Sequence, residues 1–125
     1  MPLPVSPINA IDSFLKSYPK AEIKGASIEK EHGKVYYEIE SMDGPQRRDL
    51  LYTKSGKVAE IEETLLKNDI PGFVKSSVRK KYPKGEINRA EKVTSGKKIS
   101  YELVVENETQ THEVVLDSKG NIQKV

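Results

Sequence analysis

Tyr18-Pro19-Lys20 and Tyr82-Pro83-Lys84 are one tripeptide written twice, 64 positions apart. The same offset lays residues 7–61 on residues 71–125 without a gap. Identical pairs include Pro7/Pro71, Ser13/Ser77, Lys16/Lys80, Glu22/Glu86, Ile23/Ile87, Ala26/Ala90, Lys34/Lys98, Tyr37/Tyr101, Glu38/Glu102, Gln46/Gln110 and Gly56/Gly120. Apolar character holds where identity lapses, as at Val35/Ile99, Ile39/Leu103, Leu50/Val114 and Val58/Ile122. A fixed internal period means two copies of one folded unit. A unit of about 60 residues buries only ~60 % of its unfolded surface and is marginal alone. The expected organisation is therefore one compact domain: a tail at 1–6, repeat 1 at 7–61, a connector at 62–69 and repeat 2 at 70–125.

Each repeat opens with a helical pattern. Ile8, Ile11, Phe14 and Leu15 form the stripe in the first copy, and Phe73, Val74, Val78 and Tyr82 form it in the second. Pro7 sits in one first turn; Asp69 caps, and Pro71 begins, the other. The residue before a proline is pushed out of the α region, so Tyr-Pro ends both helices. The period then changes to two. Residues 21–31, 34–42, 47–54 and 57–63 read as strands, repeated at 85–95, 97–106, 110–117 and 121–125. Short turns, His32-Gly33, Asp43-Gly44-Pro45 and Lys54-Ser55-Gly56 in the first copy, make an antiparallel meander. The odd step from Ile23 to Ala26, repeated from Ile87 to Ala90, predicts a bulge in each first strand. The fold class is α+β: two tandem α-β-β-β-β repeats, an antiparallel sheet with two helices on one face.

Alternation assigns the faces. Val35, Tyr37, Ile39, Leu50 and Tyr52, with Ile99, Tyr101, Leu103, Val114 and Leu116, point at the helices. Tyr36, Glu38, Glu40, Asp49 and Leu51, with Ser100, Glu102, Val104, Glu113 and Val115, point the other way.

Composition narrows the function classes. The chain is 35 % hydrophobic and 32 % charged, with net charge +2, near −2 in residues 1–64 and +4 in 65–125. No run of about 18 apolar residues exists to span a membrane. Without cysteine there is no disulfide, thiolate metal site or thiol catalysis. Met1–Pro7 has no charged or apolar leader region, which fits a cytosolic start or a mature protein after leader removal.

Lys16-Ser17-Tyr18-Pro19, Lys34-Val35-Tyr36-Tyr37-Glu38-Ile39 and Ser55-Gly56-Lys57-Val58 recur as Lys80-Lys81-Tyr82-Pro83, Lys98-Ile99-Ser100-Tyr101-Glu102-Leu103 and Lys119-Gly120-Asn121-Ile122. This set resembles the PepSY-like family of β-lactamase-inhibitor-like proteins across nearly the whole chain after Pro7. The resemblance implies a β-lactamase-inhibitory-protein-like fold and a periplasmic or extracellular bacterial protein. The related PepSY domain is associated with inhibition of peptidases or with propeptides, which points toward a binding or inhibitory role. The inhibitor itself carries disulfides, which a chain without cysteine cannot form.

Catalytic material is sparse. His32 and His112 align with Gly96 and Arg48, so the histidines are not equivalent, and no nucleophile elbow, phosphate loop, zinc or calcium signature is present. Glu38 and Glu102 could pair as acid and base, but carboxylates on a solvent face more often keep a sheet soluble. Glu60, Glu62 and Glu63 could collect a cation, yet read better as a solvated strand end. The basic series Lys75, Arg79, Lys80, Lys81, Lys84, Arg89, Lys92, Lys97 and Lys98 could meet phosphate, lipid A or an acidic partner, but Glu86 and Glu91 interrupt it and it lacks the strand-borne aromatics that stack bases. It reads as a solvated face, and no nucleic acid is expected.

Tyr18 and Tyr82 read as plugs closing each helix end. Tyr36 differs: Ser100 at its repeat position shows that the fold needs no aromatic there. These readings lead to a non-enzymatic module holding an envelope protein or peptide on the helix-free face. The residues are Tyr36, Glu38, Glu40, Asp49, Leu51, Ser100, Glu102, Val104, Glu113 and Val115, with no metal and no cofactor. The alternative is a sensor of a small ligand or envelope polymer, with a pocket between the repeats or at the sheet.

Overall fold

A computed structural model of the chain describes residues 7–124. The expected tail, residues 1–6, and the last strand residue, Val125, lie outside the described residues, as does the side chain of Ile8. The chain divides into two compact units, Met1–Glu62 and Glu63–Val125.

The first unit contains helix α1 (Pro7–Ser17), strands β1 (Glu22–Glu31), β2 (Lys34–Asp43) and β3 (Gln46–Thr53), and β4 (Val58–Thr64) up to the division at Glu62, in meander order. The second contains α2 (Gly72–Lys81), β5 (Glu86–Ser95), β6 (Lys98–Asn107), β7 (Gln110–Asp117) and β8 (Ile122–Lys124), also a meander. The class is α+β with antiparallel strands, and element order repeats. Both bulges are present: the register slips between Ile23 and Gly25 on β1 and between Ile87 and Arg89 on β5.

Four expectations need correction. The connector expected at 62–69 begins later, since Glu62 and Glu63, also read as strand, and Thr64 continue β4. Asp69 ends a 3-10 turn over Lys67–Asp69 and caps nothing; Pro71 itself occupies the N-cap of α2, with no side-chain cap bond. Leu15 and Phe73 leave their helical stripes, at 40 % and 41 % exposure. In α1 the small Ala10 is instead fully buried in the core, where its short side chain lets the helix approach its neighbours.

Each unit has its own core. Ala10, Phe14, Tyr37, Ile39, Leu50 and Tyr52 pack together in the first, with Ile11, Tyr18, Val35 and Ile61 around them. Ile70, Val74, Val78, Tyr82, Ala90, Tyr101, Leu103, Val105, Val114 and Leu116 do so in the second. Burying one such side chain contributes about 1.5–3 kcal/mol. Tyr18 and Tyr82 join these cores at the helix ends, as plugs. Burial and the nearby Tyr18 push the Tyr52 phenol up to about 12.

Hairpin chemistry is repeated with different residues. Thr53 Oγ1 accepts the Lys57 N–H at 3.1 Å in the first unit. At the equivalent place Asp117 Oδ1 accepts the Lys119 and Asn121 N–H groups, both at 2.9 Å, and those bonds lower its carboxyl below the usual range. Gly120 follows at φ 88°, and its carbonyl accepts the Ser77 hydroxyl at 2.6 Å. A Cβ there would meet Phe73 Cδ2 at 3.0 Å, so both conformation and space require glycine.

Candidate functional site

The meander sets residues across the outer face of the first unit in rows. Glu29 pairs with Tyr36 and Tyr36 with Thr53; Ser27 with Glu38 and Glu38 with Leu51; Gly25 with Glu40 and Glu40 with Asp49. All five first-repeat residues of the expected surface are thus brought together. Arg47, next along β3, puts Nε 3.2 Å from Asp49 Oδ1 and Nη2 3.6 Å from Glu40 Oε2.

Between these rows and β4 lies a hollow of about 170 Å³, bordered by Glu29, Glu31, Glu38, Asp49, Leu51, Glu60 and Glu62. The crowding has an electrostatic signature. Partial burial, then the carboxylates of Asp49, Glu29 and Glu40, raise the Glu38 carboxyl above its ordinary value. A hydrogen bond with the Glu40 side chain acts in the same direction.

The outer face of the second unit is built on the same rows but with other chemistry. Ser100 pairs with Val93 and Asp117, Glu102 with Glu91 and Val115, and Val104 with Arg89 and Glu113. Arg89 Nη2 lies 2.6 Å from Glu91 Oε1. Glu102 and Glu113 are exposed, while Ser100, Val104 and Val115 are half-buried. The five second-repeat residues therefore form a mixed patch that keeps two carboxylates, Glu102 and Glu113, without the tyrosine and without acids at the places of Glu29, Glu31 and Glu60.

The acids that complete the first hollow were not gathered by sequence reasoning. Glu29, Glu31 and Glu60 align with Val93, Ser95 and Lys124 under the 64-residue offset. The signal was present in that comparison: positions where the repeats share a fold but not a charge. Glu38 and Glu102 each sit among their own repeat's neighbours, and among the described residues no group of three or more His, Asp or Glu side chains is arranged to hold a metal ion. His32 sits in its hairpin turn at φ 49°. His112 instead packs flat on Tyr82, ring centroids 4.6 Å apart, as a wall of the core. No helix among the described residues is long and apolar enough to cross a membrane.

A family model described as “Putative beta-lactamase-inhibitor-like, PepSY-like” matches residues 35–124. Solved structures share the fold at low identity. A DUF2874 family protein from Bacteroides uniformis superposes with a TM-score of 0.74 at 14 % identity, covering 95 % of this chain and 87 % of the other. A BLIP-like protein from Bacteroides fragilis gives 0.71 at 16 %, covering 98 % and 86 %. A “putative periplasmic” protein from Bacteroides eggerthii gives 0.72 at 12 %, covering 93 % and 84 %. Among curated proteins none matches the chain.

Proposed function

The chain belongs to the PepSY-like, β-lactamase-inhibitor-like family, and from that premise we propose a non-enzymatic binding module that holds an envelope protein or peptide on its helix-free faces. One observation carries the reading. The first repeat gathers Glu29, Glu31, Glu38, Asp49, Glu60 and Glu62 around Leu51, whereas the second repeat keeps acids at two of these places, Glu102 and Glu113, and builds the same strands with Val93, Ser95 and Lys124 in place of Glu29, Glu31 and Glu60. The fold does not need Glu29, Glu31 or Glu60, and crowding of like charges is unfavourable, as the raised Glu38 carboxyl reflects. A partner presenting lysine or arginine beside an apolar side chain would relieve that repulsion and cover Tyr36 and Leu51. Tyrosine anchors flanked by a charged rim are a recurrent source of binding energy. Blocking an envelope enzyme, in the manner of an inhibitor, is one form of this activity. Export is supported by the periplasmic description of the Bacteroides eggerthii neighbour.

The test is capture on immobilised protein from separated envelope and cytosolic extracts, at low and high salt. Retention of one envelope protein that survives high salt, and is lost with Tyr36→Ala/Leu51→Ser while the fold is kept, supports the reading. Capture unchanged by that double substitution removes this face as the interface.

A further inference from the structure

The second unit contains a groove that the outer-face reading does not use. It has a volume of about 330 Å³ and lies between the 3-10 turn, α2 and the start of β5. Its floor is apolar: Ile70 and Val78 are buried and Ile87 is partly so. Its rim carries Lys67, Lys75 and Arg79, the last two one helical turn apart on α2. Among the described residues none of the three forms an ion pair, even though Glu86 shares the rim.

The first repeat carries different residues at the helical positions of this groove. Lys75 and Arg79 fall on Ile11 and Leu15, and Val78 falls on Phe14, which is fully buried. Where the first repeat has two aliphatic side chains the second has cations, and where the first has a buried ring the second has the smaller, buried Val78. Neither change is demanded by the fold, since the first repeat does without both.

We propose that this groove is a binding site for a small organic phosphate monoester with a compact apolar body. Three cations and one carboxylate leave the rim at about +2, which a phosphate monoester of charge near −2 balances. The Arg79 fork suits phosphate oxygens, and the lysines add point charge. The organic group would lie against the partly buried Ile87 at the foot of the groove, over the core side chains of Ile70 and Val78. The site is independent of the outer-face reading.

Phenyl phosphate is the probe, titrated into the intact protein and followed by backbone amide NMR and calorimetry. Saturable binding with shifts centred on Lys75, Arg79 and Gly85–Asn88, about tenfold tighter than inorganic phosphate or phenol, supports the site. Lys75→Ile/Arg79→Leu imports the first repeat's residues and should weaken binding by at least about tenfold. Lys75→Gln/Arg79→Gln serves the same purpose if that variant folds poorly, and Tyr36→Ala/Leu51→Ser should leave binding unchanged. Absence of saturable binding, equal affinity for inorganic phosphate, or affinity indifferent to the cation substitutions would overturn the proposal.

Discussion

The imidazole of His112 lies on the phenol ring of Tyr82, ring centroids 4.6 Å apart and planes 22° from parallel. At the equivalent place the Arg48 guanidinium sits 4.3 Å over the ring of Tyr18. Both repeats therefore close the helix end with a tyrosine and cover it with a flat, nitrogen-bearing group from the third strand of the unit. The shared requirement is a planar cover, so His112→Arg should leave stability close to wild type. His112→Ala removes the cover and should lower unfolding free energy by about 1 kcal/mol. Chemical denaturation measures both, and an alanine variant as stable as wild type would show that the stack contributes nothing.

Gly85 and Val105 form a second compensated pair. A Cβ on Gly85 would meet Val105 Cγ1 at 2.8 Å. The first repeat makes the opposite choice, Ala21 with Ser41, and the Ser41 hydroxyl donates to the Arg48 carbonyl at 2.6 Å. Gly85→Ala alone should cost about 1–3 kcal/mol through overpacking. Adding Val105→Ser makes room, and the new hydroxyl faces His112, the counterpart of Arg48, whose carbonyl can accept it. The double variant should recover part of the loss in a double-mutant cycle; strict additivity would rule out the compensation.

These exchanges explain how much could be read in advance. Element order, both bulges and the core faces followed from the offset and from strict alternation, since a one-residue slip would turn Tyr37 or Leu103 into water. Helix ends were less legible. Asp69 has the composition of a cap, but it ends a separate 3-10 turn two residues before Pro71, the N-cap of α2. The acidic hollow joins residues from four strands, and the basic groove joins a turn, a helix and a strand. Neither is a motif in the linear order, and each becomes visible where the two copies differ in charge.

Backbone strain offers a further internal comparison. Glu108 begins the β6–β7 turn at φ 60°, where the first repeat uses Gly44 at φ 61°. His32 likewise stands at φ 49° where the second repeat uses Gly96 at φ 62°. A side chain in this region costs on the order of 1–2 kcal/mol, offset in part by the backbone entropy that glycine loses. Glu108→Gly should therefore gain a few tenths to about 1 kcal/mol in thermal or denaturant unfolding. A loss of stability would mean that the Glu108 side chain supplies a compensating contact.

Glu38 sets the expected pH response of the first unit. Its folded carboxyl is raised, first by burial and then by Asp49, Glu29 and Glu40. The folded state thus binds this proton more tightly than the unfolded chain does. Its contribution to stability is complete below the ordinary glutamate value, about 4.3, and is lost as pH rises through the higher folded value. Glu38→Gln removes that loss, so the variant should be more stable than wild type at neutral pH and show a flatter profile from about pH 4 upward. If a basic partner occupies the hollow, it favours ionised Glu38. Wild-type capture should then strengthen over the same rise in pH, while the neutral amide of the Glu38→Gln variant cannot follow it. Parallel stability profiles for the two proteins would show that Glu38 is not crowded in solution.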